Sequence, residues 1–398
     1  MAVGTYAQTV DSGAQRAEQL FSYMLVNLPD SLYDALAPRV RPMITRDRLR
    51  DGMAHAESIA GKYVRHAEWT RSDVDSIRVY TSLVTFEKEQ LNCIISLDTA
   101  DRMLGIRLVP PALPVLRDTD AATLYPLPDG AIEIDDTVRT NAITRLPATV
   151  TLSGNAQNPP IVVMVHGSGP MDRDETVFAN KTFRDLSCQL VARGVSTLRY
   201  DKRTLVYRDT VRTIDDETID DALSAIRLAH EYSDRVYVLG HSLGAMVAPL
   251  IAERAADSVS GIIMMAAPAR DMISVVRQQV EVLMPGEATE ADRRQAIDAL
   301  RRQAPHYFLP QHQVETAAAL TTPVLIMQGE RDYQVTMDDF RLWKQALGAN
   351  GNVTLRSYPA LNHIFTEGEG QSTPQEYMVR KDIPEVVIDD ICRFIRNN

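Results

Sequence analysis

From about residue 130 onward, strand-sized apolar runs alternate with helical ones, and this rhythm does most to limit the fold. Ile161–Val165, Val195–Tyr200, Val236–Leu239, Ile262–Ala266, Val324–Met327 and Val353–Tyr358 read as strands. Helical stretches fall near 181–193, 217–232, from 243, 336–347 and 384–396. Such alternation gives an α/β protein with a mostly parallel sheet covered by helices on both faces. Ligands of such sheets bind at the carboxyl ends of the strands. One interval breaks the rhythm. The chain between Ile262–Ala266 and Val324–Met327 is far longer than an ordinary crossover. It carries helical stretches near 271–283 and 289–303, and is read as a lid insertion over the crevice, about 269–320.

The chain ahead of residue 130 follows another pattern. Residues 14–68 read as helical, with Leu20, Tyr23, Met24 and Leu28 at three-to-four spacing and breaks at Pro29, Pro38 and Pro42. Residues 76–109 read as three antiparallel strands. Ile77, Val79, Thr81 and Leu83 mark the first, Leu91, Cys93 and Ile95 the second, Ile106, Leu108 and Val109 the third. Helices followed by a curved sheet make a small α+β domain over 1–112. Pro110, Pro111, Pro114, Pro126 and Pro128 then argue for an extended linker, drawn at 113–129.

Composition removes several classes of function. The 398 residues carry a net charge of −11, and the first 110 are near neutral, so the acidity falls on the second domain. An acidic surface disfavours nucleic acid. No apolar run approaches the ~18 residues of a membrane span. Cys93, Cys188 and Cys392 lie far apart, with neither a disulfide framework nor a zinc spacing, so no metal is expected. The N-terminus lacks a complete signal peptide, yet Thr5-Tyr6-Ala7 suits the end of a cleavage site. The expectation is a periplasmic or secreted protein if a signal was trimmed before Gln8, and a cytoplasmic one otherwise. Monomer and homodimer both stay open.

The chemistry is concentrated in Gly240-His241-Ser242-Leu243-Gly244, between the strand Val236–Leu239 and a helix. A sharp strand-to-helix turn lifts Ser242 into the crevice, and Gly240 and Gly244 allow close backbone passage. Serine needs a base, and the base an orienting acid. For this fold class the chain order is Ser, Asp or Glu, His. Asp332 follows Val324–Met327 and His363 follows Val353–Tyr358 in that order. Glu330 is the alternative acid; Asp338 and Asp339 read as first-turn helix residues. His55, His66 and His230 fall in helical stretches, while His306 and His312 lie in the lid.

An oxyanion needs two donors. Leu243 N–H, just after the nucleophile, is one. Ile161–Val165, taken as the third strand, runs into His166-Gly167-Ser168-Gly169-Pro170, and Ser168 N–H is assigned as the second, with Gly169 as alternative. His166, Gly167 and His241 are supporting residues. Met171–Glu175 reads either as a solvated loop with internal ion pairs or as charges fixing the oxyanion turn. Tyr200–Thr204 is a further candidate for shaping the pocket.

Together HGSGPMDRDE (166–175), RYDKRT (199–204), GHSLG (240–244), GERD (329–332) and Asn362-His363 resemble the α/β-hydrolase superfamily, and within it the EstD-like bacterial carboxylesterases. The resemblance spans roughly 130–398. It implies an α/β-hydrolase fold with a mostly parallel eight-stranded sheet, a triad of Ser242, Asp332 and His363, short acyl esters as substrates and no cofactor. Acyltransferase, thioesterase and peptidase chemistry share this superfamily and remain alternatives. Residues 14–110 are similar to a small NTF2-like domain found ahead of such hydrolases.

Overall fold

The computed structural model describes residues 11–41, 44, 46, 49–50, 57, 60–74, 77–109, 124–154, 158–207, 213–284 and 289–398. Thr5–Ala7, Gln8, Pro42, His55, Pro110, Pro111 and Pro114 lie outside them. The chain forms two compact units, Met1–Pro114 and Val115–Asn398.

In the first unit the helix Ser12–Leu25, capped by Asp11 at Gly13 N, is followed by a short helix Pro29–Ala35. Five antiparallel strands follow: β1 (Tyr63–His66), β2 (Thr70–Val74), β3 (Ile77–Phe86), β4 (Gln90–Leu97) and β5 (Met103–Val109). Two expectations are corrected. Residues 63–66 are strand rather than helix, because β1 and β2 both pair with β3 along its outer edge. Tertiary pairing decides the state of such short segments. β1 and β2 also add two strands to the three expected, and the inward face of β3 is set by its pairing with β4. Cys93 pairs with Ser82 and Ile95 with Tyr80. Partners across a sheet share a face, so Tyr80, Ser82, Val84 and Phe86 are buried, while Ile77, Val79, Thr81 and Leu83 are half-buried.

The second unit is built on an eight-stranded sheet. Its strands are β6 (Ile132–Arg139), β7 (Arg145–Leu152), β8 (Ile161–Val165), β11 (Ser196–Tyr200), β12 (Val236–His241), β13 (Gly261–Met265), β14 (Val324–Gly329) and β15 (Val353–Tyr358). The two-residue strands β9 (Thr176–Val177) and β10 (Asn180–Lys181) make a separate hairpin. The sheet order is β15-β14-β13-β12-β8-β11-β7-β6. From β11 to β15 neighbours run parallel; β7 and β6 are antiparallel at one edge.

The parallel strands β8 and β11 to β14 are buried on both faces and their side chains alternate between two cores, whereas the edge strand β15 is only half-buried. Val163, Val238, Met264 and Ile326 pack with helices Asp220–Ala229, Leu243–Ala255 and Met337–Leu347. Met164, Leu239, Ile263 and Leu325 pack with helices Thr182–Ala192 and Glu385–Asn397 on the other side. Strands covered on both faces lose polar alternation and read as continuous apolar runs. Between β13 and β14 lie helices Met272–Leu283, Glu290–Gln303 and Gln313–Ala319 and the 3-10 turn Pro305–Phe308. Asp271 caps the first, and a Thr289/Asp292 capping box starts the second. Among the described residues no helix is long and apolar enough to cross a membrane.

Candidate active site

Ser242 stands between β12 and the helix Leu243–Ala255 with φ 53° and ψ −113°. A non-glycine residue held there costs about 1–3 kcal/mol, so the surroundings must impose it. Ser242 N–H donates to Met265 O at 2.9 Å, pinning the turn to β13. A Cβ on Gly240 would lie 2.3 Å from Gly244 O, and one on Gly244 would lie 2.1 Å from Val165 O. Both contacts are far inside van der Waals distance, which explains the glycines flanking Ser242.

Asp332, three residues past β14, is buried and saturated with donors. Its Oδ1 accepts from Gln334 N at 2.7 Å and Val335 N at 3.0 Å; its Oδ2 accepts from Gln328 Nε2 at 3.2 Å and pairs with His363 Nδ1 at 2.6 Å. That contact assigns a proton to Nδ1 and leaves Nε2 as the basic nitrogen. His363 is fixed by its neighbour Asn362, whose Oδ1 accepts from Ile364 N and Thr366 N. Among the described residues no hydrogen bond joins Ser242 Oγ to His363. Such bonds often form only when substrate is bound.

The alternatives for the acid lie elsewhere. Glu330 is exposed and accepts from Ser357 Oγ at 2.8 Å. Asp338 is exposed and pairs with Arg341. Asp339 is fully buried and has more than a first-turn role: it accepts from Ala269 N and Arg270 N and pairs with Arg270 at 2.7 Å, anchoring the start of the insertion.

The loop after β8 lies against the elbow. A Cβ on Gly167 would sit 3.4 Å from Ser242 Cβ. Gly167 N–H donates to Glu175 Oε1 at 2.8 Å, and Gly169 N–H donates to Tyr307 Oη at 2.9 Å. Ser168 N–H has no protein partner among the described residues. His166 is sandwiched by Phe183 and Tyr200, and burial drives its imidazole down to about 4, keeping it neutral.

Of the two readings of Met171–Glu175, both have a physical counterpart. Arg173 forms a two-pronged bond to Asp201, and Asp174 pairs with Arg199 and Lys181. Glu175 turns inward, fully buried, 3.1 Å from His241 Nδ1, an ion-pair distance without linear hydrogen-bond geometry. His241 Nε2 donates in turn to His363 O at 2.9 Å. A continuous chain therefore runs from Gly167 N–H through Glu175 and His241 to the backbone of His363.

Both ends of that ion pair shift. Burial opposes the charge on Glu175, but His241 outweighs it and holds the carboxyl below its ordinary 4.5. Burial likewise opposes charge on His241, but Glu175 holds the imidazole above 6.5. The Glu175 contribution is present above 4.5 and lost as pH falls through its lowered value. The His241 contribution is complete below 6.5 and lost as pH rises through its raised value. Glu175→Gln is therefore expected to lower Tm most between 4.5 and 6.5, by roughly 5 °C for about 2 kcal/mol. The deficit should shrink as pH rises through the raised value of His241; calorimetry from pH 4.5 upward checks it, and a pH-independent deficit would contradict the ion pair.

A cavity of 690 Å³ opens over Ser242. Ser168, Gly169 and Leu243 form its floor, and Met272, Val275, Val276, Leu300 and Phe308 of the insertion line the other side. His306 reaches it; His312 lines a different, smaller cavity. Sequence reasoning missed Glu217, which also lines the cavity and is buried beneath it. Acidic residues are ordinary in a helical stretch, and nothing local marks this one.

The strand order and the strand–turn–helix elbow are those of the α/β-hydrolase fold, with Ser242, Asp332 and His363 each following the carboxyl end of a strand. Residues 207–379 match the model of the Prolyl oligopeptidase family. Over 337 residues the chain is 34% identical to Esterase EstD of Thermotoga maritima, covering 80% of this chain and 79% of that one. The chain belongs to the EstD esterase family. Among solved structures, a Pyrococcus furiosus esterase gives a TM-score of 0.49 at 17% identity, covering 67% of this chain and 91% of its own. A Mycobacterium tuberculosis puromycin-hydrolyzing peptidase gives 0.48 at 17% identity, covering 84% of this chain and 48% of its own.

Proposed function

We propose that this protein is a carboxylesterase acting on neutral esters of short-to-medium acyl chains. The observation that carries the reading is the Asp332–His363 pair, 2.6 Å apart, at the same strand ends as the strained Ser242. In this mechanism Ser242 Oγ attacks the ester carbonyl as His363 Nε2 takes its proton. Leu243 N–H and Ser168 N–H receive the oxyanion. His363 returns the proton to the departing alkoxide, and water, deprotonated by His363, hydrolyses the acyl-enzyme to free acid and Ser242. The apolar lid residues favour an acyl chain. The charged Glu217 is already occupied by Lys202 and His306, so it offers no unpaired charge to an anionic or cationic substrate.

The Prolyl oligopeptidase match keeps peptide bonds as a second reading. Turnover of p-nitrophenyl esters of graded chain length, matching thioesters and matching p-nitroanilides separates the two. The expected result is a kcat/KM for butyrate ester at least about 100-fold above the anilide; an anilide turned over as fast would favour the peptidase. Val276 lies against the cavity, so Val276→Phe should lower kcat/KM for octanoate roughly 10-fold more than for acetate. Equal losses across chain lengths would move the acyl group away from the lid. For the first unit, the helices Ser12–Leu25 and Pro29–Ala35 with the five antiparallel strands among the described residues support the NTF2-like reading.

A further inference from the structure

One buried cation close to the site has no part in the triad. Lys202, at the carboxyl end of β11, is 2% exposed, and its Nζ donates to Gly167 O at 2.6 Å. Its counter-ion is Glu217, 2.5 Å away, in the π-helical turn Asp215–Ile219. Glu217 is held from the other side by the insertion: Tyr307 Oη donates to its Oε1 at 2.6 Å, and His306 Nε2 lies 2.7 Å from its Oε2. Burying an ammonium and a carboxylate together is costly and seldom stabilises a fold over apolar packing. Their position suggests another use.

Gly167 O belongs to the same peptide unit as Ser168 N–H. That unit is planar and trans, so the N–H points opposite to the C=O. Whatever fixes the oxygen also aims the hydrogen. A full positive charge on the oxygen draws electron density through the amide and makes its N–H a stronger donor, an effect magnified where water is excluded. We propose that Lys202 is a positioning residue of the reaction, one that aims and polarises the Gly167–Ser168 peptide so that Ser168 N–H binds the oxyanion. This inference rests on the esterase reading given above. Burial pushes the Lys202 ammonium below its ordinary value and the Glu217 carboxylate beside it opposes that shift. Tyr307, by also accepting from Gly169 N–H, ties the seated insertion to the same loop.

The test uses the full chain with Lys202→Met, and with the paired Lys202→Met/Glu217→Gln, which leaves no buried charge unpaired. Three quantities are read: kcat and KM for p-nitrophenyl butyrate, the inhibition constant of hexyl trifluoromethyl ketone, and that of octanoate. The ketone forms a hemiketal with Ser242 whose oxyanion needs the hole; octanoate does not. Both variants should lose roughly 10- to 100-fold in kcat, less than removal of a whole donor. KM and octanoate binding should stay within about twofold, and ketone affinity should fall in parallel with kcat. The double variant is expected to regain Tm without regaining kcat. If it recovers wild-type kcat and ketone affinity, or loses kcat while ketone affinity stays, the inference is overturned. Should the single variant fail to fold, the double one decides alone. Failure of the esterase reading is separate: it would appear as a wild-type chain that turns over no ester, or one whose activity survives Ser242→Ala.

Discussion

Ser242→Ala should reduce kcat for p-nitrophenyl butyrate by roughly 10⁵- to 10⁶-fold while leaving the fold intact. The substitution removes only Oγ, and Oγ makes no hydrogen bond to the described protein, so little structure is lost with it. The backbone strain at φ 53° stays, because alanine carries the same Cβ. Without the hydroxyl no acyl-enzyme can form. What survives is the modest rate from the two oxyanion donors acting on water. Steady-state turnover measures the loss, and a fluorophosphonate probe should label wild type but not the variant. Retention of even a tenth of the activity would put the chemistry on another residue.

Asp332→Asn is the second large effect, with an expected fall of about 10⁴ in kcat and KM within a few-fold. Its cause lies in the donors around the carboxylate. Oδ1 receives two backbone N–H groups and would remain an oxygen. The new amide nitrogen would then occupy the Oδ2 position, facing Gln328 Nε2 and His363 Nδ1. Three donors cannot satisfy one another. The simplest relief moves the His363 proton from Nδ1 to Nε2, where it blocks acceptance of the Ser242 proton. Tm should drop only slightly, so a large loss of kcat with a folded protein is the diagnostic result. A fall of less than 10-fold would mean that Asp332 does not set the tautomer.

The proposed catalytic residues were legible because each follows a strand-sized apolar run. β8, β12, β13 and β14 are buried on both faces and cannot hide among polar residues. Gly-X-Ser-X-Gly follows β12 and Asp332 follows β14, while His363 follows β15, a half-buried edge strand still marked by the apolar run Val353–Tyr358. β6 and β7 gave no comparable sign. β6 is an edge strand carrying Glu133, Asp135 and Asp136, mostly exposed, so burial imposes no apolar pattern on it. In the first unit, β3 has apolar residues on both faces, and only its pairing with β4 selects between them. The segment Tyr200–Thr204 was legible as a candidate for shaping the pocket, but the partners of Lys202 and Glu217 were not. Tyr307, which holds Glu217, lies 90 residues further along the chain, and no local periodicity records a contact of that span. Asp339 shows the same limit: its place in the first turn of a helix was legible, but its grip on Arg270 was not.

The line from Gly167 through Glu175 and His241 to His363 also bears on how such a site could be transplanted. A graft carrying Ser242, Asp332 and His363 alone would leave the loops under them free to drift by different amounts. Here the loop after β8, the elbow and the loop after β15 share one buried ionic crosspiece. The portable unit is thus that crosspiece together with the loops it spans, and exchanging any one loop for a foreign sequence would have to preserve its hold on the other two.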